Sequence, residues 1–141
     1  MKPKIIYAII GATVTGFLLG WLIFGILLDS FYKSQMTAGA AALMKDPPDM
    51  WAMIVMNVSY AVLLVYIFHA WAGITTFIKG FTAGITIFFL VMVGFDIGMY
   101  GFSTIFTLTL SIVDIIANTI LGGIVGGVAG LILGLGNKET V

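Results

Sequence analysis

The sequence predicts an all-α fold, a polytopic membrane protein with four transmembrane helices in an antiparallel bundle. Of the 141 residues, 61% are hydrophobic and 9% are charged, whereas soluble domains contain roughly 45 to 50% apolar and about 25% charged residues. The chain also contains four apolar runs of about the 20 residues that cross a hydrocarbon core of about 30 Å. A soluble core of this size cannot bury so much apolar surface, so a lipid bilayer is the expected partner of a single domain, residues 1–141.

The first apolar run, residues 5–28, follows two lysines and could be mistaken for a signal peptide. A signal peptide has an apolar region of only about 7 to 15 residues, followed at once by small residues at the cleavage site. Here the small residues 38–40 come well after the run. We therefore expect an uncleaved first helix.

The other elements follow in order along the chain. Residues 29–49 form a polar loop with room for a short interfacial helix, and Pro47-Pro48 prevents any helix from continuing into the second span. The second span is predicted at 50–71 and is followed by a short turn at 73–80. The third span is predicted at 81–102 and the fourth at 108–133, joined by a five-residue connection at 103–107. An aspartate at the centre of a span costs about 3 kcal/mol, but nine Leu, Ile, Phe and Val residues between positions 85 and 97 outweigh it.

The lysines predict the orientation. Four spans place both termini on one side of the membrane, and the positive-inside rule assigns the lysine-rich side to the cytoplasm. The side of the termini carries four lysines and the other side two, namely Lys2, Lys4, Lys79 and Lys138 against Lys33 and Lys45. Both termini are therefore predicted to be cytoplasmic, with the 29–49 loop outside.

Glycines in the fourth helix predict close helix contacts. They repeat every four residues, as Gly122, Gly126, Gly130 and Gly134, with Gly123 and Gly127 beside them. Rows of small residues let helix backbones approach each other in lipid. Shorter rows occur at Gly16 and Gly20, at Gly80 and Gly84, and at Gly94 and Gly98. The long row is expected either to hold one bundle together or to form a subunit interface.

Two aspartates within the spans are the main functional candidates, because ionisable groups in a membrane usually mark a site. Asp96 and Asp114 lie nine residues to either side of position 105 in the third connection, so a helical hairpin brings them to the same depth. Asn57 reaches a similar level, roughly 10 Å below the surface at a rise of 1.5 Å per residue. The predicted site binds a ligand or a proton, and its members are Asn57, Tyr60, Asp96, Tyr100, Asp114 and Asn118.

The expected chemistry follows from the charge. Two carboxylates held close in a low dielectric cannot both be ionised comfortably, so either one keeps a proton or a cation neutralises the pair. The alternative is structural, with a protonated aspartate hydrogen-bonding across helices to Asn57 or Tyr60. Such a contact needs only one carboxyl, and a second one at the same depth would add the free-energy cost of burying another ionisable group in the membrane.

Other kinds of site find little support. His69 is the only histidine, so no pair of axial haem ligands exists, and it is expected to anchor the membrane interface beside Trp71. The same role, or ordinary core contacts, is expected for Tyr7, Trp21, Phe31, Tyr32 and Trp51. The chain has no cysteine, a net charge of zero and no basic run, so we expect no metal, no cofactor and no nucleic-acid partner.

The layout resembles an uncharacterised bacterial family of four-helix inner-membrane proteins, a domain of unknown function. The resemblance rests on the aromatic end of the first helix, from Trp21-Leu22 to Phe31-Tyr32, on Asp96, and on Val113-Asp114-Ile115. That family has Thr-Asn after the first aspartate and Trp-Gly after the second, where this chain has Gly98-Met99 and Ala117-Asn118. The resemblance implies that the protein lies in a bacterial inner membrane. It assigns a role to Asp96 and Asp114 only, and it implies no activity.

Three functions remain open from the sequence. The favoured hypothesis is an oligomeric protein or an accessory subunit of other membrane proteins, whose carboxylate pair in the outer leaflet binds a proton, a cation or a small polar or lipid headgroup. The second is a small proton-coupled transporter that acts as a dimer. The third is a membrane enzyme acting on a lipid or quinone, which rests on the carboxylates alone because no nucleophile or metal set accompanies them.

Overall fold

A computed structural model of the protein describes residues 3–136. Lys2 and Lys138, two of the lysines that predict the orientation, lie outside this range. The described residues form six α-helices, with bounds α1 Pro3–Leu22, α2 Asp29–Gln35, α3 Ala38–Ala41, α4 Met50–Tyr66, α5 Phe77–Phe102 and α6 Leu108–Gly134. Helix α1 continues through a π-helical turn, Ile23–Leu27, and α4 continues through another, Ile67–Ala72.

Four of these elements are long and apolar enough to cross a membrane, namely Pro3–Leu27, Met50–Ala72, Phe77–Phe102 and Leu108–Gly134. The predicted all-α fold with four spans is confirmed, and the chain is a multi-pass membrane protein by the length and composition of these helices. The predicted polar loop contains α2 and the short α3.

The start of α5 differs from the prediction. Residues 73–80 were expected to form a turn, but the helix begins at Phe77, so Lys79 lies in its first turn. Thr76 is the cause, because its hydroxyl caps the helix by accepting the backbone N–H of Lys79 at 3.4 Å. The turn itself is short because Gly73 has a left-handed backbone conformation with φ of 58°, which suits a residue without a Cβ.

Helix α6 is the centre of the bundle. Half of its span is buried, compared with 11% of the first span. It contacts α5 along its length and packs on α1 and α4 on its other sides, whereas α5 packs on α6 alone among the long helices. Helix α4 packs mainly on α1, and no extensive contact joins α4 to α5.

The glycine row of α6 holds α5 within the same chain. A Cβ added to Gly126 would lie 2.5 Å from the carbonyl oxygen of Gly80 and 3.0 Å from Gly84 Cα, and one added to Gly122 would meet the ring of Phe88. Gly130 and Gly134 meet the backbone of the turn before α5 in the same way. The first of the two predicted roles, contact inside one bundle, is thus the one these residues fill.

The remaining glycines divide into two kinds. Gly123 and Gly127 receive the side chains of α5, with Phe77 and Phe81 stacked at a centroid distance of 6.0 Å beside them. In contrast, a Cβ on Gly94, Gly98 or Gly20 would meet no described atom within 4 Å. The predicted short row at Gly94 and Gly98 therefore has no partner among residues 3–136.

Candidate ligand-binding site

A cavity of about 560 Å³ lies between α1, α4, α5 and α6. It arises because α4 and α5 are not closely packed on each other and touch through few side chains, among them Tyr60 and Phe88, whose ring centroids are 5.4 Å apart. This volume is within the range of about 300 to 1,000 Å³ typical of small-molecule sites. The larger side chains of the wall are mostly aromatic or methionine, contributed by Phe17, Trp21, Phe24, Met50, Met53, Met56, Phe88, Met92 and Phe95.

Small residues on α1 give the cavity its width. Gly16 and Gly20 both line it. A Cβ at Gly16 would lie 2.9 Å from the side-chain oxygen of Asn57, so the glycine lets α4 bring this amide close to α1. At Gly20 an added Cβ would meet nothing within 4 Å, so the space opposite this residue is open.

Polar groups converge on Asp114, which lines one part of the cavity. Asn118 follows one helical turn later on the same face of α6 and donates from Nδ2 to Asp114 Oδ2 at 2.8 Å. The hydroxyl of Tyr32, on α2, donates to Asp114 Oδ1. Both carboxylate oxygens thus accept a hydrogen bond, as suits a group that is acceptor-only when ionised.

Helix α2 reaches Asp114 because it folds back toward α6 after the π-helical turn of α1. The hydroxyl of Thr107, at the start of α6, donates to the side-chain oxygen of Gln35 at 3.1 Å. The ring of Tyr32 packs edge-on against Phe24, with centroids 5.9 Å apart. These contacts hold the phenol over the end of the cavity that contains the carboxylate.

Asp96 lies close to Asp114 but does not line the cavity. Its side chain is fully buried, and neither carboxyl oxygen has a hydrogen-bond partner among the described residues. The hydroxyl of Ser111 donates to the backbone oxygen of Asp96 at 3.2 Å, which fixes α5 beside α6 at this level. A buried polar group without a partner is costly and suggests a functional reason for its presence.

Both aspartates act on Tyr32. Burial raises the pKa of the phenol well above its ordinary value of 10.0, and the hydrogen bond to Asp114 and the negative charges of Asp114 and Asp96 raise it further. Tyr32 therefore stays protonated and remains a donor to Asp114 throughout the neutral range. The two carboxyl groups also interact with each other, so the two aspartates lie close together.

The structure places four of the six predicted site residues on the cavity wall, namely Asn57, Tyr60, Asp114 and Asn118. Asp96 is adjacent but outside the wall, and Tyr100 is 45% exposed on α5 and does not line the cavity. The alternative hydrogen bond between an aspartate carboxyl and Asn57 or Tyr60 does not form among the described residues. Asn57 Nδ2 donates to the backbone oxygen of Met53 at 2.9 Å, and Tyr60 packs on Phe88.

Tyr32 is the site residue that the sequence interpretation missed, since it was expected to be a membrane-interface or packing residue. Its hydroxyl donates to Asp114 across 82 positions of sequence. The only hint in the sequence was that Tyr32 lies in a short helix directly after the first span. The sequence does not show that this helix packs near Asp114.

The cavity is closed toward the opposite end of the bundle by an apolar core. Leu64, Phe68, Ala129 and Leu133 are each at most 1% exposed and form one cluster that also includes Ala12, Ala61 and Val125. The last three line the cavity as well. This cluster separates the polar groups from the end of the bundle that carries His69, which is exposed, and Trp71, which packs on Tyr66 at 5.3 Å between ring centroids.

Fold and site together define a class, a multi-pass helical membrane protein with a mostly apolar cavity and a carboxylate in its wall. Within residues 3–136, no group of three or more His, Cys, Asp or Glu side chains is close enough to hold a metal ion. Comparison with family models, with curated proteins and with solved structures finds no match to this chain.

Proposed function

We propose that the protein binds an amphipathic membrane molecule, with the apolar part of the ligand in the cavity and its polar end at Asp114. The observation that carries this proposal is the distribution of polarity in the cavity wall. Apolar side chains form most of it, the largest of them aromatic or methionine, whereas Asn57, Asp114 and Asn118 supply a few polar groups. An apolar pocket with a small number of converging polar groups is the usual form of a small-molecule site.

The closed apolar end favours binding over passage. A transport path would need polar groups or space on both sides of the carboxylates, but the buried side chains beyond the cavity are apolar, with Phe68 and Leu64 at 0% exposure. A ligand can therefore enter from the membrane or from the side of α2 and remain in one half of the bundle. This supports the binding hypothesis more than the transporter hypothesis.

Binding can be tested with the intrinsic fluorescence of Trp21, the one tryptophan on the cavity wall. A variant with Trp51→Phe and Trp71→Phe retains Trp21 as the only tryptophan. In nanodiscs, titration with dodecyldimethylamine oxide, an uncharged single-chain amphiphile at pH 8, is expected to change the Trp21 emission in a saturable manner. A change that grows linearly without saturation would indicate partition into lipid and would count against a binding site.

Matched glycine variants locate the effect. Gly20→Phe places a ring in the open space of the cavity, whereas Gly94→Phe places the same ring at a site on α5 that is equally free of contacts and lies outside the cavity wall. We expect Gly20→Phe to abolish the saturable signal and Gly94→Phe to retain it. Equal loss in both variants would contradict the assignment to the cavity.

We also propose the membrane in which the protein lies and its orientation there. A bacterial inner membrane with both termini in the cytoplasm is supported by the family resemblance and by the lysines, four on the side of the termini against two.

A further inference from the structure

We infer that the ligand of this cavity is a lipophilic cation, a compact or single-chain molecule whose positive end is a protonated amine or a quaternary ammonium group. This inference rests on the proposed function and adds the chemical class of the ligand. It rests on three features of the site, namely the carboxylate in the cavity wall, the lack of a cationic side chain beside it, and the aromatic rings that line the same cavity.

The first feature is the arrangement of Asp114. Its two oxygens accept from Tyr32 and Asn118, so the carboxylate is held in a fixed orientation while it faces the cavity. Neither donor carries a positive charge. Hydrogen bonds thus orient Asp114 without neutralising it, and the charge remains available to a ligand.

The second feature is the location of the described lysines. Lys33 pairs with Asp29 at 2.8 Å and Lys45 pairs with Asp49, and both pairs are exposed at the loop. Lys4 and Lys79 lie in the first turns of α1 and α5, at the end of the bundle opposite the carboxylates. Among residues 3–136, therefore, no lysine side chain lies beside Asp114 and Asp96.

Asp96 adds to the demand for a cation. It is fully buried close to Asp114, and both of its oxygens lack a hydrogen-bond partner among the described residues. A second carboxyl at this depth, without donors of its own, makes the region more attractive to positive charge and less attractive to an anion. An anionic headgroup, such as a phosphate, would meet two carboxyls and no basic group.

The third feature is aromatic. Trp21, Phe24, Tyr60 and Phe95 line the same cavity as Asp114. Aromatic faces attract cations, and cages of such rings with a carboxylate are suited to ammonium groups that cannot donate strong hydrogen bonds. The apolar remainder of the wall then covers the hydrocarbon part of the molecule.

The volume limits the size of the ligand. A space of about 560 Å³ suits a drug-sized or single-chain molecule, in the ordinary range for small-molecule pockets. We therefore assign the site to a lipophilic amine or ammonium compound and not to the headgroup of a two-chain membrane lipid.

The test compares two probes of equal chain length in the Trp21-only protein at pH 8, dodecyltrimethylammonium and the uncharged dodecyldimethylamine oxide. We expect the wild-type protein to bind the cation at least about tenfold more tightly than the amine oxide, because a contact to a charged group contributes about this much to affinity. Asp114→Asn, which keeps the size of the side chain, should remove this preference and leave binding of the amine oxide within about twofold, since the apolar wall is intact. A matched control, Asp29→Asn, removes a carboxylate that is exposed, pairs with Lys33 and lies outside the cavity wall, so it should retain the preference for the cation.

The outcomes separate the two proposals. Saturable binding of both probes with equal affinity, or equal weakening of both by Asp114→Asn, would overturn the assignment to a cation while leaving the cavity as a binding site. Absence of saturable binding of either probe would overturn both proposals. Competition by phosphatidylethanolamine added to phosphatidylcholine nanodiscs would assign the site to a lipid headgroup and contradict the size argument.

Discussion

Replacing Gly126 with alanine tests how closely α5 and α6 approach each other. The added Cβ would lie 2.5 Å from the carbonyl oxygen of Gly80, whereas ordinary contacts begin at 3.4 Å, so the two helices must separate locally by roughly 0.9 Å. Both sides of this contact are backbone, which cannot move aside as a flexible side chain can. Overpacking of this kind costs about 1 to 3 kcal/mol, and we expect a lower apparent Tm in detergent by fluorescence-detected size exclusion.

The matched control is Gly94→Ala. Both variants gain the same intrinsic helix propensity, about 1 kcal/mol in favour of alanine, but a Cβ at Gly94 meets nothing within 4 Å. The difference between the two apparent Tm values therefore isolates the helix contact. If Gly126→Ala and Gly94→Ala melt at the same temperature, the close approach of α5 and α6 at this level is refuted.

Three further predictions follow from the site and the topology. Asp96→Asn should raise the apparent Tm because it replaces a buried ionisable group that has no partner with a neutral amide. Asp114→Asn should lower the free energy of unfolding by about 1 to 3 kcal/mol, and the apparent Tm with it, because it weakens two charge-assisted contacts. The reverse order would show that Asp96 is the stabilising group. Because the pKa of Tyr32 is raised above 10.0, its contribution to stability should be complete below pH 10.0 and lost as the pH rises through the higher folded-state value. The tyrosinate absorbance of wild type minus Tyr32→Phe checks this, and a difference midpoint at or below 10.0 would contradict it. Reporter fusions at the C-terminus and near Thr37 should place the first inside and the second outside the cell; finding both on one side would contradict four spans.

The sequence predicted the spans well because their signal is local. Each apolar run is long enough to cross a bilayer on its own, so the number and approximate positions of the four spans follow from hydropathy. The pairing of Asp96 with Asp114 was also predictable, since a short connection forces residues equally distant from its centre to the same depth. The start of α5 was missed because Thr76 provides a cap that hydropathy does not detect.

The cavity could not be predicted in the same way. It depends on how far apart α4 and α5 lie, and small residues set this through contacts between distant parts of the chain, such as Gly80 with Gly126. The role of Tyr32 depends on the fold of the loop between the first two spans. Whether the α6 glycines face a partner subunit or α5 likewise requires the three-dimensional arrangement, since both options use the same spacing.

Photolabelling tests the central claim, a ligand inside the bundle, most directly. The probe is an alkyltrimethylammonium with a diazirine on its chain, and labelled positions are found by peptide mass spectrometry. Phe88, Met92 and Leu121 line the cavity but are at most 8% exposed, so lipid-dissolved probe does not reach them from outside. We predict saturable labelling of these three residues that excess dodecyltrimethylammonium displaces. Labelling confined to outward residues such as Ile54, Leu90 and Ile120, which are at least 50% exposed, would contradict the proposed binding cavity.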